Sequence, residues 1–368
     1  MKRKIFKNIE WGILICTILL IVIGMVALYS ATLNTEHEEL KKQIIWLLIS
    51  IPIMIVVILI DYEMITKVSP IFYGIFLVLL VGVLFTKPIN GATSWYELGL
   101  LSFEPSELAK IFVVITFAYV ITIIQRKSRE EISRPTRLLL SLLVVIVPIL
   151  LIIKQPDYGT AAAFLVSTIL ILFAAGIKKR YIITALLLVV IAVPLLYFFI
   201  LPEHAKTRID VFLNPNLDPR GSGYNIIQSK LAVGAGELFG MGLLKGNQTQ
   251  LGFLYPKTTD FIFSVIGEEM GFVVTCAIVI LYVVLITKAI FVAKTARDDL
   301  GSYIAMGIAG IFLFHMLENI GMTIGLLPIT GVPLPFVSYG GSSLLTNLIM
   351  IAILLNISGR RQKTIFMK

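Results

Sequence analysis

Residues 257–287 read KTTDFIFSVIGEEMGFVVTCAIVILYVVLIT, a short polar lead of Lys257-Thr258-Thr259-Asp260 and then an apolar run broken only by Glu268 and Glu269. A run of this length crosses a bilayer core of about 30 Å as a helix, which takes about 20 residues. It also lacks the polar stripe that a helix packed on a soluble core would show to water. The same pattern recurs at roughly 11–32, 43–60, 66–85, 105–125, 138–153, 160–176, 181–201, 302–327 and 337–357. The expectation is an all-α, polytopic integral membrane protein with about ten transmembrane helices, in which residues 1–368 form a single membrane domain. Composition agrees: 58% hydrophobic residues, 14% charged residues and a mean hydropathy of +0.94 lie outside the soluble range.

Several function classes fall away at this level. Cys16 and Cys276 each sit inside an apolar run, so they form neither a disulfide framework nor a metal site by spacing. His37, His204 and His315 are scattered, which removes motifs with two histidines one helical turn apart. The first run follows Met1-Lys2-Arg3-Lys4 but is longer than a signal-peptide core and has no small-residue cleavage site, so it is read as an anchor. Lys154-Gln155-Pro156-Asp157-Tyr158-Gly159 reads as a tight polar turn joining the fifth and sixth runs in a hairpin.

Most of the 31 Lys and Arg fall in segments that share one side if both termini are cytoplasmic, above all Arg126 to Arg137 and Lys178-Lys179-Arg180. The opposite side and its helix edges carry few, namely Lys41, Lys42, Lys87 and Lys154. A net charge of +9 then reflects a basic inner face toward anionic lipid, and no nucleic-acid partner is expected. One connection breaks the pattern of short loops: residues about 202–259, between spans seven and eight, form a long extracytoplasmic loop carrying eight of the 27 glycines. Within it Gly223 to Val233 is amphipathic, with Gln228 and Lys230 turned to water or a ligand.

Three polar clusters stand out, because an ionisable side chain in the apolar core costs several kcal/mol unless paired or useful. Glu104-Pro105-Ser106-Glu107-Leu108-Ala109-Lys110 opens the fourth span, with Glu107 and Lys110 on one helical face, either as a self-neutralising pair or as part of a site. Asp260 sits at the outer start of the eighth span, where a carboxylate serves equally as a helix N-cap. Glu268 and Glu269 follow about 12 Å deeper, at 1.5 Å per residue, and are expected to find Asn319 or backbone donors. The third cluster, Pro328 to Ser343, reads both as non-helical backbone at membrane depth and as small-residue packing around Gly340-Gly341-Ser342-Ser343.

These segments resemble the shape, elongation, division and sporulation family, specifically its RodA branch. The likeness rests on Asn90-Gly91-Ala92-Thr93-Ser94-Trp95 with Phe103 to Lys110, on Gln155 to Ala161, on Gly223 to Lys230, on Gln248-Thr249-Gln250-Leu251-Gly252-Phe253-Leu254, on Thr259-Asp260-Phe261-Ile262-Phe263 and on Pro333 to Ser343. It spans nearly the whole chain. The resemblance implies a ten-span peptidoglycan glycosyltransferase that polymerises lipid II at the outer face of the bacterial cytoplasmic membrane. It also implies a class B penicillin-binding transpeptidase as partner, beside other elongation-complex membrane proteins. By the same resemblance Asp260 matches the family's proposed catalytic carboxylate and Lys110 lies near it. Trp95, Ser106, Glu107, Lys110, Asp157, Arg208, Gln228, Lys230 and Ser338 are the expected substrate contacts. One departure is Thr258, where the family often has His, which puts a histidine role there in doubt.

The chemistry agrees with one carboxylate. A sugar hydroxyl attacking an anomeric carbon needs a base, but a diphosphate leaves without protonation, so no second carboxyl group is required as acid. The charge growing on that diphosphate calls for a cation: Lys110 first, then Arg208, Lys230 or a divalent metal such as Mg or Mn, for which no ligand set is legible. Competing readings are a lipid II flippase, a scaffold that only recruits the transpeptidase, and the division or sporulation paralogue of the same enzyme. The stretch Asn247 to Leu254 looks more like the elongation branch.

Overall fold

The computed structural model describes residues 8–87, 93–98, 101–199, 203–218 and 221–361. Met1 to Lys4, Asn90 to Ala92 and the side chain of Arg208 lie outside the described residues. Ten apolar helices occupy the ten expected positions: α1 Trp11–Ala31, α2 Glu38–Leu59, α3 Tyr62–Val83, α4 Pro105–Ile124, α5 Pro135–Ile153, α6 Tyr158–Ala174, α7 Lys179–Phe199, α11 Ile262–Thr295, α12 Asp299–Thr323 and α13 Gly341–Gly359. Eight of these are long and apolar enough to cross a membrane, and α6 is a shorter apolar helix of the same kind. With α7 as the tenth, the chain is a multi-pass membrane protein. Helix ends run past the apolar cores into polar flanks, as at Glu38 and Lys294, because the helix continues where the lipid stops.

The long loop is not extended chain. It folds into α8 Glu203–Leu213, α9 Ser222–Ala235 and the single turn α10 Asn247–Gln250. A feature not foreseen is the antiparallel hairpin of β1 Tyr96–Leu98 and β2 Leu101–Phe103, paired Tyr96 to Phe103, which leads directly into α4. The 154–157 turn joins α5 and α6 as expected.

Burial sorts the helices. In α13, 89% of the spanning window is buried against the rest of the protein, in α12 72% and in α4 61%, against 22% in α2 and α3. The inner helices carry the polar residues; the outer ones show Leu48, Val78, Leu139, Leu140 and Phe198, as expected of helices solvated by lipid tails. One end of the bundle is stapled by ion pairs between helix termini: Arg360 with Asp61 at 3.2 Å, Lys288 and Arg361 with Glu10 at 2.9 and 3.3 Å, and Arg129 with Asp299 at 2.5 Å. There Asp298 caps α12 through the Gly301 amide at 2.8 Å and accepts from the Tyr62 hydroxyl at 2.6 Å. The opposite end holds the N-termini of α4, α6, α11 and α13 and the candidate site.

Candidate active site

The start of α11 differs from the straight span expected. Gly271 (φ 76, ψ −175) breaks the helix into 262–270 and 272–295. Unbroken, its 34 residues would run about 51 Å. Yet Asp260 is held by Asn319, whose Nδ2 donates to the Asp260 carbonyl at 3.0 Å, only about 30 Å along α12 from the same membrane end. The break therefore turns residues 262–270 across the end of the bundle instead of letting them stand above it. The loop fills the gap: Met241 and Gly242 amides donate to the Glu268 and Glu269 carbonyls at 2.9 and 3.1 Å, and Phe272 and Val273 amides donate to Glu237 and Leu238 at 2.9 and 3.1 Å. These contacts are backbone on backbone, so a Cβ on Gly240 would come within 2.2 Å of the Glu269 carbonyl oxygen and one on Gly236 within 1.8 Å of the Gly267 oxygen.

Glu268 and Glu269 correct the sequence reading in part. Both accept backbone donors, as expected, together with side chains of the same loop in place of Asn319, whose amide is turned to Asp260 and Val332. Glu268 accepts the Gln248 amide at 2.7 Å, the Thr249 amide at 3.0 Å and the Thr249 hydroxyl at 2.7 Å. Glu269 accepts the Gln250 side-chain amide at 2.9 Å. The two carboxylates thus cap α10 and fix the Gln248-Thr249-Gln250 motif. Lys257 adds a bond to the Thr249 carbonyl at 2.9 Å, and partial burial lowers its pKa.

Asp260 is half-buried, one residue before the N-cap Phe261, and its Oδ2 would lie 3.7 Å from a Cβ on Gly331. Gly331 belongs to the Pro328 to Gly340 segment, which is non-helical as expected. That segment is sewn to the start of α11: the Ser338 hydroxyl donates to the Thr259 carbonyl at 2.7 Å and accepts the Leu334 amide at 2.8 Å, and the Tyr339 amide donates to Thr258 at 2.9 Å. Phe336 takes a positive φ of 69° and is held against Phe312 at 5.6 Å, with the Tyr282 hydroxyl donating to the Pro335 carbonyl. Small-residue packing is present too, since Gly341 leaves room for the Trp46 ring, which a Cβ would meet at 1.9 Å.

The cluster on α4 is denser than its motif suggested. Lys110, 1% exposed, donates to Glu107 Oε1 at 2.8 Å and lies 3.2 Å from His315 Nε2. Ser106 donates to Glu104 Oε1 at 2.9 Å, and the Glu104 amide donates to Ser342 Oγ at 3.2 Å, joining the N-termini of α4 and α13. Asp157 caps α6 through the Thr160 amide at 3.0 Å, and Gly159 packs on Val332 and Thr330. Glu104 and Asp157 share an electrostatic field with Glu107 and Lys110. Burial, then the neighbouring carboxylates, raises the Glu104 carboxyl well above its ordinary range; burial raises Asp157 against its bonds to Thr160 and the pull of Lys110. Glu107 Oε2 and Asp157 Oδ2 are buried without a hydrogen-bond partner among the described residues.

The helix N-termini of α4, α6, α11 and α13 therefore meet around residues 328–343, each directing its positive dipole end at the same region. Of the expected contacts, this region gathers Asp260, Lys110, Glu107, Ser106, Asp157 and Ser338. Trp95 is half-buried just before β1. Lys230 is exposed and lies over Gly325, past the end of α12, about 12 Å of helix beyond His315, so the two lysines are not brought together. Gln228 is half-buried on α9, whose Ser229 donates to the Thr323 carbonyl at 2.7 Å. Sequence reasoning missed His315 and the tether from Asn319 to Asp260; the available signal was a run of polar residues, His315, Glu318, Asn319 and Thr323, within one apolar span. Among the described residues no group of three or more His, Cys, Asp or Glu side chains is placed to hold a metal ion.

Residues 10–363 match the family described as cell cycle protein, FTSW_RODA_SPOVE. The chain is 35% identical to the peptidoglycan glycosyltransferase MrdB of Escherichia coli K12, over 96% of this chain and 95% of that protein. It is 37% identical to the probable peptidoglycan glycosyltransferase FtsW of Trichlorobacter lovleyi, over 97% and 95%. Among solved structures it is similar to a chain from "Structural coordination of polymerization and crosslinking by a peptidoglycan synthase complex", with TM-score 0.82, 26% identity and coverage of 95% and 97%. It is also similar to the rod shape determining protein RodA of Thermus thermophilus, with TM-score 0.72, 26% identity and coverage of 96% and 98%.

Proposed function

The chain belongs to the FtsW, RodA and SpoVE family of cell cycle proteins, and from that premise we propose that it is a peptidoglycan glycosyltransferase polymerising lipid II, with Asp260 as general base. The observation that carries the reading is the meeting of the Asp260 carboxylate with the Gly331 turn, in a ring of helix N-termini that also contains Lys110. The relatives named peptidoglycan glycosyltransferases over nearly their full length support the reaction class.

The step balances with one base. Asp260 takes the proton of the acceptor hydroxyl, the new bond forms from that oxygen to the anomeric carbon, and the bond from that carbon to the diphosphate oxygen breaks. The diphosphate departs as an anion on its polyprenyl chain, met by the helix N-termini and by Lys110. Among the described residues no group of three or more His, Cys, Asp or Glu side chains would hold a divalent cation.

The partner in this reading is a class B penicillin-binding transpeptidase, supported by the similarity to a chain of a peptidoglycan synthase complex. The elongation role is supported by the Asn247 to Leu254 stretch, since identities of 35% to MrdB and 37% to FtsW do not separate the branches. A flippase would need polar groups along the whole crossing path; most candidate groups here gather at one end, and Glu268 and Glu269, the main exceptions, hold α10. The test is polymerisation of purified lipid II by the protein reconstituted with its transpeptidase. Wild type is expected to make glycan ladders and Asp260→Asn to lose at least about 100-fold in rate. Equal ladders from both would remove Asp260 from the reaction; none from wild type would remove the reaction itself.

A further inference from the structure

His315 is fully buried on α12, and its two ring nitrogens face different elements: Nδ1 lies 3.1 Å from the Pro333 carbonyl oxygen and Nε2 lies 3.2 Å from Lys110 Nζ. A carbonyl oxygen only accepts, so Nδ1 carries the ring proton. Lys110, paired with Glu107 at 2.8 Å, is an ammonium that only donates, so Nε2 offers its lone pair. An imidazolium here would set two donors against each other. Both requirements are met by one form of the ring, the neutral tautomer protonated on Nδ1.

We propose that His315 is a positioning residue, which in that tautomer fixes the Lys110 ammonium relative to Asp260. Pro333 neighbours Val332, whose carbonyl accepts the Asn319 amide at 2.9 Å, and the same amide holds the Asp260 carbonyl at 3.0 Å. His315 and Asn319 are one turn apart on α12, so a single helical face bonds the cation to the turn and the turn to the base. Glu107 and His315 each take one Lys110 N–H, leaving the third for an oxygen of the departing diphosphate. The proposal rests on the glycosyltransferase reading for its consequence, although not for its geometry.

The test therefore has two arms on the full chain in complex with its transpeptidase. In the first, lipid II polymerisation is measured for wild type, His315→Phe and His315→Gln. Phe keeps the ring and removes both bonds; Gln restores one donor and one acceptor. The expected result is a kcat about 100-fold lower for His315→Phe, the effect of a misplaced group, with KM within about threefold, and recovery of most of that loss in His315→Gln. In the second arm, the imidazole nitrogens of selectively 15N-labelled histidine are observed by NMR, and wild type is expected to show one buried, neutral ring protonated on Nδ1. A His315→Phe enzyme within threefold of wild type, a glutamine variant no better than phenylalanine, or a proton on Nε2 would overturn the proposal. If wild type makes no glycan, the glycosyltransferase reading fails alone, and the nitrogen spectrum still decides the tautomer.

Discussion

Asp157 shows how a single side chain here serves two opposed demands. It caps α6 through the Thr160 amide at 3.0 Å, a bond that favours its charged form, yet burial outweighs that bond and raises its pKa. Burial and the neighbouring Glu107 and Asp157 raise Glu104 well above its ordinary range in the same sense. A carboxyl raised on folding binds more protons in the folded state, so stability falls as pH climbs from the ordinary carboxylate range through the raised value. Asn caps a helix as well as Asp. Asp157→Asn should therefore keep α6 intact, raise the thermal midpoint of the purified protein at pH 7.5, and lose that advantage near pH 4, where both side chains are neutral. A lower midpoint for the variant at pH 7.5 would mean the charge itself is needed. At this scale the sequence was legible where charges were locally spaced, as for Glu107 and Lys110. It was silent on the partners of His315, because the polar run on that span marks a face but nothing in a lone histidine reveals which helix will meet it.

The element that decides the geometry is the broken α11. Its break was not legible, because Glu268 and Glu269 just before Gly271 read as buried polar groups in a continuous span, and glycine is common in membrane helices without breaking them. The ten spans were legible for the opposite reason, since lipid thickness imposes a length on each run regardless of what packs on it. What enforces the break is the close approach of another backbone: a Cβ on Gly271 would stand 2.2 Å from the Gly240 nitrogen, at a φ of +76° that side chains rarely adopt. Gly271→Ala should destabilise this joint by about 2 kcal/mol or more. Glu268→Gln should do so by about 1–3 kcal/mol, because an amide NH2 would face a backbone donor at Gln248 or Thr249. Hydrogen exchange of the amides of Met241, Gly242, Gln248, Thr249, Phe272 and Val273 reads both effects. Faster exchange confined to these positions is expected, and unchanged protection in both variants would mean the loop is held by other contacts.

Across the whole molecule the two ends differ in what they use charge for. At one end, basic residues pair with acids at helix termini, Arg360 with Asp61, Arg129 with Asp299 and Lys288 with Glu10, and the joints are spread over six helices and their flanks. The exposed pair of Arg129 with Asp299 contributes little to stability, the other two each largely bury one partner, and their concentration at one end is what the positive-inside rule expects of a cytoplasmic face. At the other end, Glu104, Glu107 and Asp157 are gathered at helix N-termini around the site, where Lys110 and the helix dipoles supply the positive charge. A polyprenyl-linked sugar donor needs its site at a membrane surface, and in the orientation we propose from the positive-inside rule the site end faces outside. Exposed Lys245 on the long loop and exposed Lys127 between α4 and α5 report on the two ends. The native thiols give little background, since Cys16 is buried and Cys276 is half-buried within α11. In cells with a permeable outer wall, a membrane-impermeant maleimide should label Lys245→Cys and leave Lys127→Cys unlabelled, and inverted vesicles should reverse the pattern. Labelling of Lys127→Cys from outside would put Asp260 on the cytoplasmic side, where it could not act on a substrate displayed at the outer surface, and would overturn the orientation and the polymerase reading together.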